Sequence, residues 1–140
     1  MSIIDKRILD FILEHHVFSL ATSKKNKPYS ASCYYVYDRI ENALIFSSDE
    51  KTKHAQQFIE NHTVSATIAI ETDDFTKIKG LQLLGEVSLI ESNKLKRSTE
   101  LYLDRFPFAK NLPINLWILK LTYIKMTDNS LGFGKKLIWN

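Results

Sequence analysis

Apolar residues near the start of the chain recur three and four positions apart. Ile4, Ile8, Phe11 and Ile12 fall on one helical face, which predicts an amphipathic helix over 3–14 with Ser2 as its cap. The period then shortens. Val17 to Thr22 and Tyr29 to Tyr37 are rich in β-branched and aromatic residues, and the turn-prone SKKNKP between them predicts a hairpin. DRIEN is a second turn, leading to a short strand from Ala43 to Phe46. The stretch SSDEKTKHAQQF then reads as a strand end passing into a helix, whose buried face is Ala55, Phe58 and Ile59 and whose stop is Asn61. From Val64 the pattern returns to period 2, with Ala66, Ile68 and Ile70 alternating with Ser65, Thr67 and Ala69, as in a sheet with one buried face. ETDDFTK is a loop.

The segment Ile78 to Ile90 is long for one strand, and Gly80 and Gly85 within it predict a bend or bulge where a sheet curls. Ser92 is placed to cap a third helix running to about Leu103, and Pro107 and Pro113 bar its continuation. Ile114 to Met126 is apolar on both alternating faces apart from Asn115, Lys120, Thr122 and Lys125, so it is expected to be a strand covered on both sides. In a small protein such a strand also suggests a partner surface, hence a dimer. Six strands with helices as covers, and no alternating βαβα rhythm, predict a mainly antiparallel α+β sheet closed into a small barrel.

Composition narrows the class without changing this outline. At 140 residues, 44% apolar and 25% charged, with four glycines and three prolines, residues 1–140 make one ordinary domain with a real core. No apolar run approaches the roughly 20 residues that span a bilayer, and the acid-containing N-terminus is unlike a signal peptide, so no membrane partner is expected. The single Cys33 cannot form an intrachain disulfide, which makes cytoplasmic the default localisation. The formal charge of +3 is spread over scattered lysines and gives no indication of nucleic acid.

Candidate chemistry concentrates in SSDEKTKH. Ser47 and Glu50 fit an S-x-x-E capping box, which needs no ligand. The same helix start, with Lys51 and Lys53, also has the makings of a phosphate site, although Asp49 and Glu50 would repel an anion unless turned to solvent. LGFGKK is a poor match to a phosphate-binding loop, because Asn129 stands at the first glycine and Lys136 where Ser or Thr belongs. It reads as a glycine turn between two end segments. His15 and His16 point about 100° apart on a helix, and His54 and His62 lack metal-motif context, so no metal site is assigned. Cys33 has no partner that sequence assigns, and no catalytic nucleophile is named. In YSASCYYVYD the small residues Ser30, Ala31, Ser32 and Cys33 leave backbone accessible to a flat ring, beside a cluster of tyrosines that reads as strand packing.

Together SSDEKTKHAQ, IKGLQLLGEVSLIE, DRFPFAK and especially KMTDNSLGFGKKLIW resemble the FMN-binding split β-barrels related to pyridoxamine-phosphate oxidase, and among them the small bacterial proteins of YhbP type. The resemblance implies a six-stranded antiparallel Greek-key split barrel, assembled as a homodimer with one FMN in each of two clefts between subunits. It implies that the strand at Ser32, Cys33 and Tyr34 lies beside the isoalloxazine, and that the turn at Ser47, Ser48, Lys51 and Thr52 receives the phosphate. Lys135 and Trp139 are candidate contributors from the partner. Glu50 stands where such proteins often carry an arginine, which removes one positive charge. The expected function is an FMN-dependent oxidoreductase of unassigned substrate. The alternative is a non-catalytic module for flavin or another planar anion such as haem.

Overall fold

The computed structural model describes residues 3–140. The first helix, α1 (Lys6–Glu14), is shorter than its apolar spacing suggests because Asp5 caps it: the carboxylate accepts the Arg7 N–H and ends the preceding extended backbone. Ser2, the expected cap, lies outside the described residues. Ile8, Phe11 and Ile12 form the buried face.

Strands β1 (Val17–Lys24) and β2 (Lys27–Asp38) make the expected hairpin. Their connection is only Lys25 and Asn26, both at positive φ (50° and 64°), the backbone that lets a two-residue turn follow the right-handed twist of its strands. After β2 come β3 (Ala43–Ser47), α2 (Lys53–Glu60) and β4 (Thr63–Ala69). Strand β5 (Lys79–Leu89) carries the expected irregularity: its register against the next strand shifts between Leu84 and Gly85. A Cβ at Gly85 would stand 2.2 Å from the carbonyl oxygen of Lys120, so only glycine lets the two strands approach this closely.

The third helix differs from expectation at its start. Ser92 opens a 3-10 turn, Ser92–Lys94, and α3 (Leu95–Arg105) follows with Lys94 at its N-cap and no side-chain cap bond. Residues Pro107–Asn111 form another 3-10 segment. Then come β6 (Leu116–Asp128) and a seventh strand, β7 (Lys136–Trp139), where six were expected. The glycine turn at Gly132 and Gly134, both at positive φ, folds the four residues of β7 back onto β6, too short a segment for periodicity to reveal.

All strand pairs are antiparallel, in the order β3-β2-β1-β4-β5-β6-β7, and a β3–β6 pairing closes the ring. Six strands thus form the barrel and β7 hangs on it. β3 is a short bridge: β6 runs past its Ala43 end, and β2 runs past its Ser47 end.

The inner core contains Phe18, Leu20, Tyr35, Phe46, Phe58, Leu83 and Ile124. A second cluster lies outside the barrel, where Tyr102, Phe106 and Ala109 cover Ala43, Ile45, Leu116 and Ile118. The two-sided apolar pattern of β6 is therefore satisfied within the chain, and by itself calls for no partner. Arg97 on α3 fastens that layer by two hydrogen bonds to Asp38 at the end of β2. Among the described residues no helix is long and apolar enough to cross a membrane.

Candidate functional site

The two segments singled out by sequence meet. The β2–β3 register, Tyr35 opposite Phe46, carries on to place Cys33 beside Ser48, and their side chains touch, Sγ to Oγ 3.8 Å. Beyond that point β2 has no neighbour on this side, because β3 pairs with residues 35–38 only. Tyr35 donates its N–H to His16 (2.9 Å) on the β1 side. Backbone groups alternate along an antiparallel strand, so those of Ser30, Ser32 and Tyr34 face the side of β3. For Ser30 and Ser32 that edge is open. Pro28 shares this orientation and has no N–H to leave unpaired.

Tyr34 is about half exposed, at 48%. Its ring stacks on His16 and meets Phe106 and Phe108 at centroid distances of 5.4 and 6.1 Å, making an aromatic wall beside the open edge. Cys33 is buried beneath. Burial pushes its thiol pKa up, against the pull of its hydrogen bond with Ser48, which favours the protonated sulfur.

The turn from β3 to α2 is not built as the capping box that Ser47 and Glu50 suggest. Ser47 ends β3, and its hydroxyl oxygen accepts the N–H of Asn115 (3.1 Å). Asp49 forms an Asx turn instead: its carboxylate accepts the Lys51 N–H (2.8 Å), and its carbonyl accepts the N–H and hydroxyl of Thr52. This delays the helix until Thr52, which caps it by accepting the Ala55 N–H. The Asp49 charge is thereby engaged with the turn's own backbone.

Lys51 is exposed on this turn. Lys53, not selected by the resemblance, swings across to β2, where its ammonium lies 4.7 Å from the centroid of the Tyr29 ring. A helix N-terminus, two lysines and the open edge of β2 therefore adjoin. The N–H groups of Lys53 and His54 precede the first intrahelical bond, from Gln56 N–H to the Thr52 carbonyl, and belong to the set that a helix start leaves for other partners.

Ser48 lies beneath the turn. Its carbonyl accepts the Trp117 indole N–H (2.9 Å), its N–H donates to Asn115, and its hydroxyl contacts His54 Nε2 at 2.9 Å. Burial lowers the His54 pKa, favouring the neutral ring. Sequence gave no signal for His54 or Trp117, since each acts through a contact distant in the chain or specific to this turn. Lys135 and Trp139 lie beyond the opposite end of β3, where Trp139 packs on the inner core. Among the described residues no group of His, Cys, Asp or Glu is placed to hold a metal.

On the far side of the turn is a cleft of about 630 Å³ whose lining includes Glu50, Phe58, Val87, Leu89, Leu116 and Trp117. It is mainly apolar and of a size that accommodates a small molecule or a protruding side-chain cluster.

Comparison with known proteins agrees with this architecture. The Pyridoxamine 5'-phosphate oxidase family description matches residues 4–126. A UPF0306 protein of Yersinia pestis is 38% identical over 130 residues, 93% of this chain and 88% of its own. A haem-binding protein from Mycobacterium smegmatis superposes with TM-score 0.79 at 15% identity. The match covers all of this chain, which spans 60% of that protein's length. An FAD-binding protein from Mesorhizobium loti gives TM-score 0.69 at 17% identity, over 89% of this chain and 92% of its own.

Proposed function

Because the chain belongs to the pyridoxamine 5'-phosphate oxidase family, we propose that it binds FMN and acts as a flavin-dependent oxidoreductase. The observation that carries the reading is the meeting of an unpaired strand edge with a cationic helix start, Lys53 over the Tyr29 ring. A flat ring bearing hydrogen-bonding edges fits the first, and a doubly charged ester fits the second.

In this reading the backbone of β2 around Ser32, Cys33 and Tyr34 orients the ring, and Tyr34 shields one side of it. Lys51, Lys53 and the first N–H groups of α2 hold the phosphate, with the Ser47 hydroxyl, already accepting from Asn115, free to donate its proton. FMN supplies the hydride or electron transfer, which accounts for a site built without a nucleophile. The protein forms a homodimer, and the partner completes each cleft.

The absorbance of the purified protein between 350 and 500 nm, followed by FMN titration, tests the assignment. Hydrogen bonds to charged groups are worth roughly 1.5–3 kcal/mol, so Lys51→Ala and Lys53→Ala should each weaken FMN about tenfold or more while leaving riboflavin nearly unchanged. Absence of FMN binding, or binding indifferent to both substitutions, overturns it. Reduction of bound flavin by NADH or NADPH, with turnover of an acceptor, separates an oxidoreductase from a carrier. The second reading is a module for haem, which the M. smegmatis neighbour favours. It would show a Soret band in place of the flavin bands.

A further inference from the structure

We propose that His54 is a positioning residue for the anion: through Ser48 it sets whether a hydroxyl proton points inward to the imidazole or outward to a bound phosphate ester. This rests on the reading of the β3–α2 turn as the phosphate site.

The argument is one of donors and acceptors. His54 Nε2 touches two hydroxyls, Ser48 Oγ at 2.9 Å and Thr52 Oγ1 at 3.4 Å. The Thr52 proton is already given to the Asp49 carbonyl, so Thr52 can only accept from the ring. Ser48 is the one partner able to give or take. On its other side stands the Cys33 thiol, a weak donor in need of an acceptor. With a neutral ring carrying its hydrogen on Nδ1, the arrangement runs from the thiol to the Ser48 oxygen and from the Ser48 proton to Nε2. Protonation of Nε2 reverses it. The imidazolium donates to Ser48 and Thr52, and the Ser48 proton turns to another acceptor, for which a phosphate oxygen at the turn is far stronger than the Cys33 sulfur.

Among the described residues no other charge competes for the ring. Asp49 is turned to the Lys51 N–H, Lys53 to the Tyr29 ring on β2, and Glu50 lies at the cleft beyond the turn. From β2 only the protonated Cys33 reaches it, by way of Ser48; from β6 the neutral Trp117 indole holds the Ser48 carbonyl; and on α2 itself the next ring is Phe58. The lowered pKa of the free state follows from burial alone. A bound dianion then raises it, so binding takes up a proton.

The test is FMN affinity, read by flavin fluorescence between pH 7.5 and 5.5, for wild type, His54→Gln and Ser48→Ala, with riboflavin in parallel. FMN's own phosphate loses charge near pH 6, which weakens every variant as pH falls. Wild type gains an opposing contribution from His54, so the Kd ratio of His54→Gln to wild type should grow about fivefold or more over this range. The riboflavin ratio should stay flat, and Ser48→Ala should lose most of the effect. A constant FMN ratio, an equal change with riboflavin, or a full effect retained in Ser48→Ala overturns the inference while leaving the FMN site standing. Failure of wild type to bind FMN at any pH removes both. Independently of flavin, nitrogen NMR of the free protein at pH 7.5 should find His54 with its hydrogen on Nδ1; a hydrogen on Nε2 also overturns the proposal.

Discussion

Gly85 shows how much one absent methyl group can decide. Its missing Cβ is what lets β5 pass Lys120 at the bulge, with Leu119 Cδ1 only 2.9 Å from the same point. Backbone cannot retreat as a side chain can, so Gly85→Ala should destabilise by about 3 kcal/mol, at the upper end of overpacking costs, as read from the urea midpoint. A bulge here was legible because glycine interrupted an otherwise β-rich run. The lysines were legible only as a pair. Nothing in KTK distinguishes Lys53, which reaches the Tyr29 ring, from Lys51, because the difference arises from where the Asx turn lets the helix begin. His54 carried no motif context for the same reason.

At the level of elements, periodicity located α1, α2, α3 and the six barrel strands, and it failed where local hydrogen bonding sets the ends. Asp5 and Asp49 moved a helix start away from the serine that sequence favoured, and a 3-10 turn at Ser92–Lys94 did the same for α3. The attachment of α3 is likewise invisible in sequence, since Asp38 and Arg97 are far apart in the chain. Asp38 is 1% exposed. Burial pushes its pKa up, but the two bonds from Arg97 and the N–H groups of Glu41 and Ile40 outweigh this and hold it below the ordinary value. A depressed carboxylate pKa contributes stability that is present above the unfolded value near 3.8 and is lost as pH falls through the folded one. Arg97→Ala should therefore cost about 2 kcal/mol at pH 7, discounted from a fully buried pair because the Arg97 side chain is partly exposed. Its acid-unfolding midpoint should move to higher pH. An unchanged midpoint would show that the backbone donors suffice.

For the whole molecule, barrel closure and a strand covered on both sides were predictable, whereas the seventh strand, and that α3 and the segment after it supply the outer cover, were not. That layer removes β6 as an argument for association, so the proposed dimer rests on the family resemblance and on the cleft bounded by Leu89, Leu116 and Trp117. Light scattering on the purified chain should give about twice the monomer mass of 16.2 kDa. Leu89 is 70% exposed, and Leu89→Asp should shift that mass toward monomer if the cleft face is the contact. A wild-type monomer at micromolar concentration would remove the two-subunit site.

β7 has a different consequence. Four residues held along one border fray before the ring beside them melts, and amide exchange should be faster at Leu137 than at Leu119. When those residues lift away, β6 presents a bare row of backbone groups from Ile124 to Thr127, a template on which a neighbouring molecule can lay its own tail. Gentle warming should then set off slow chain-to-chain zippering well below the melting temperature.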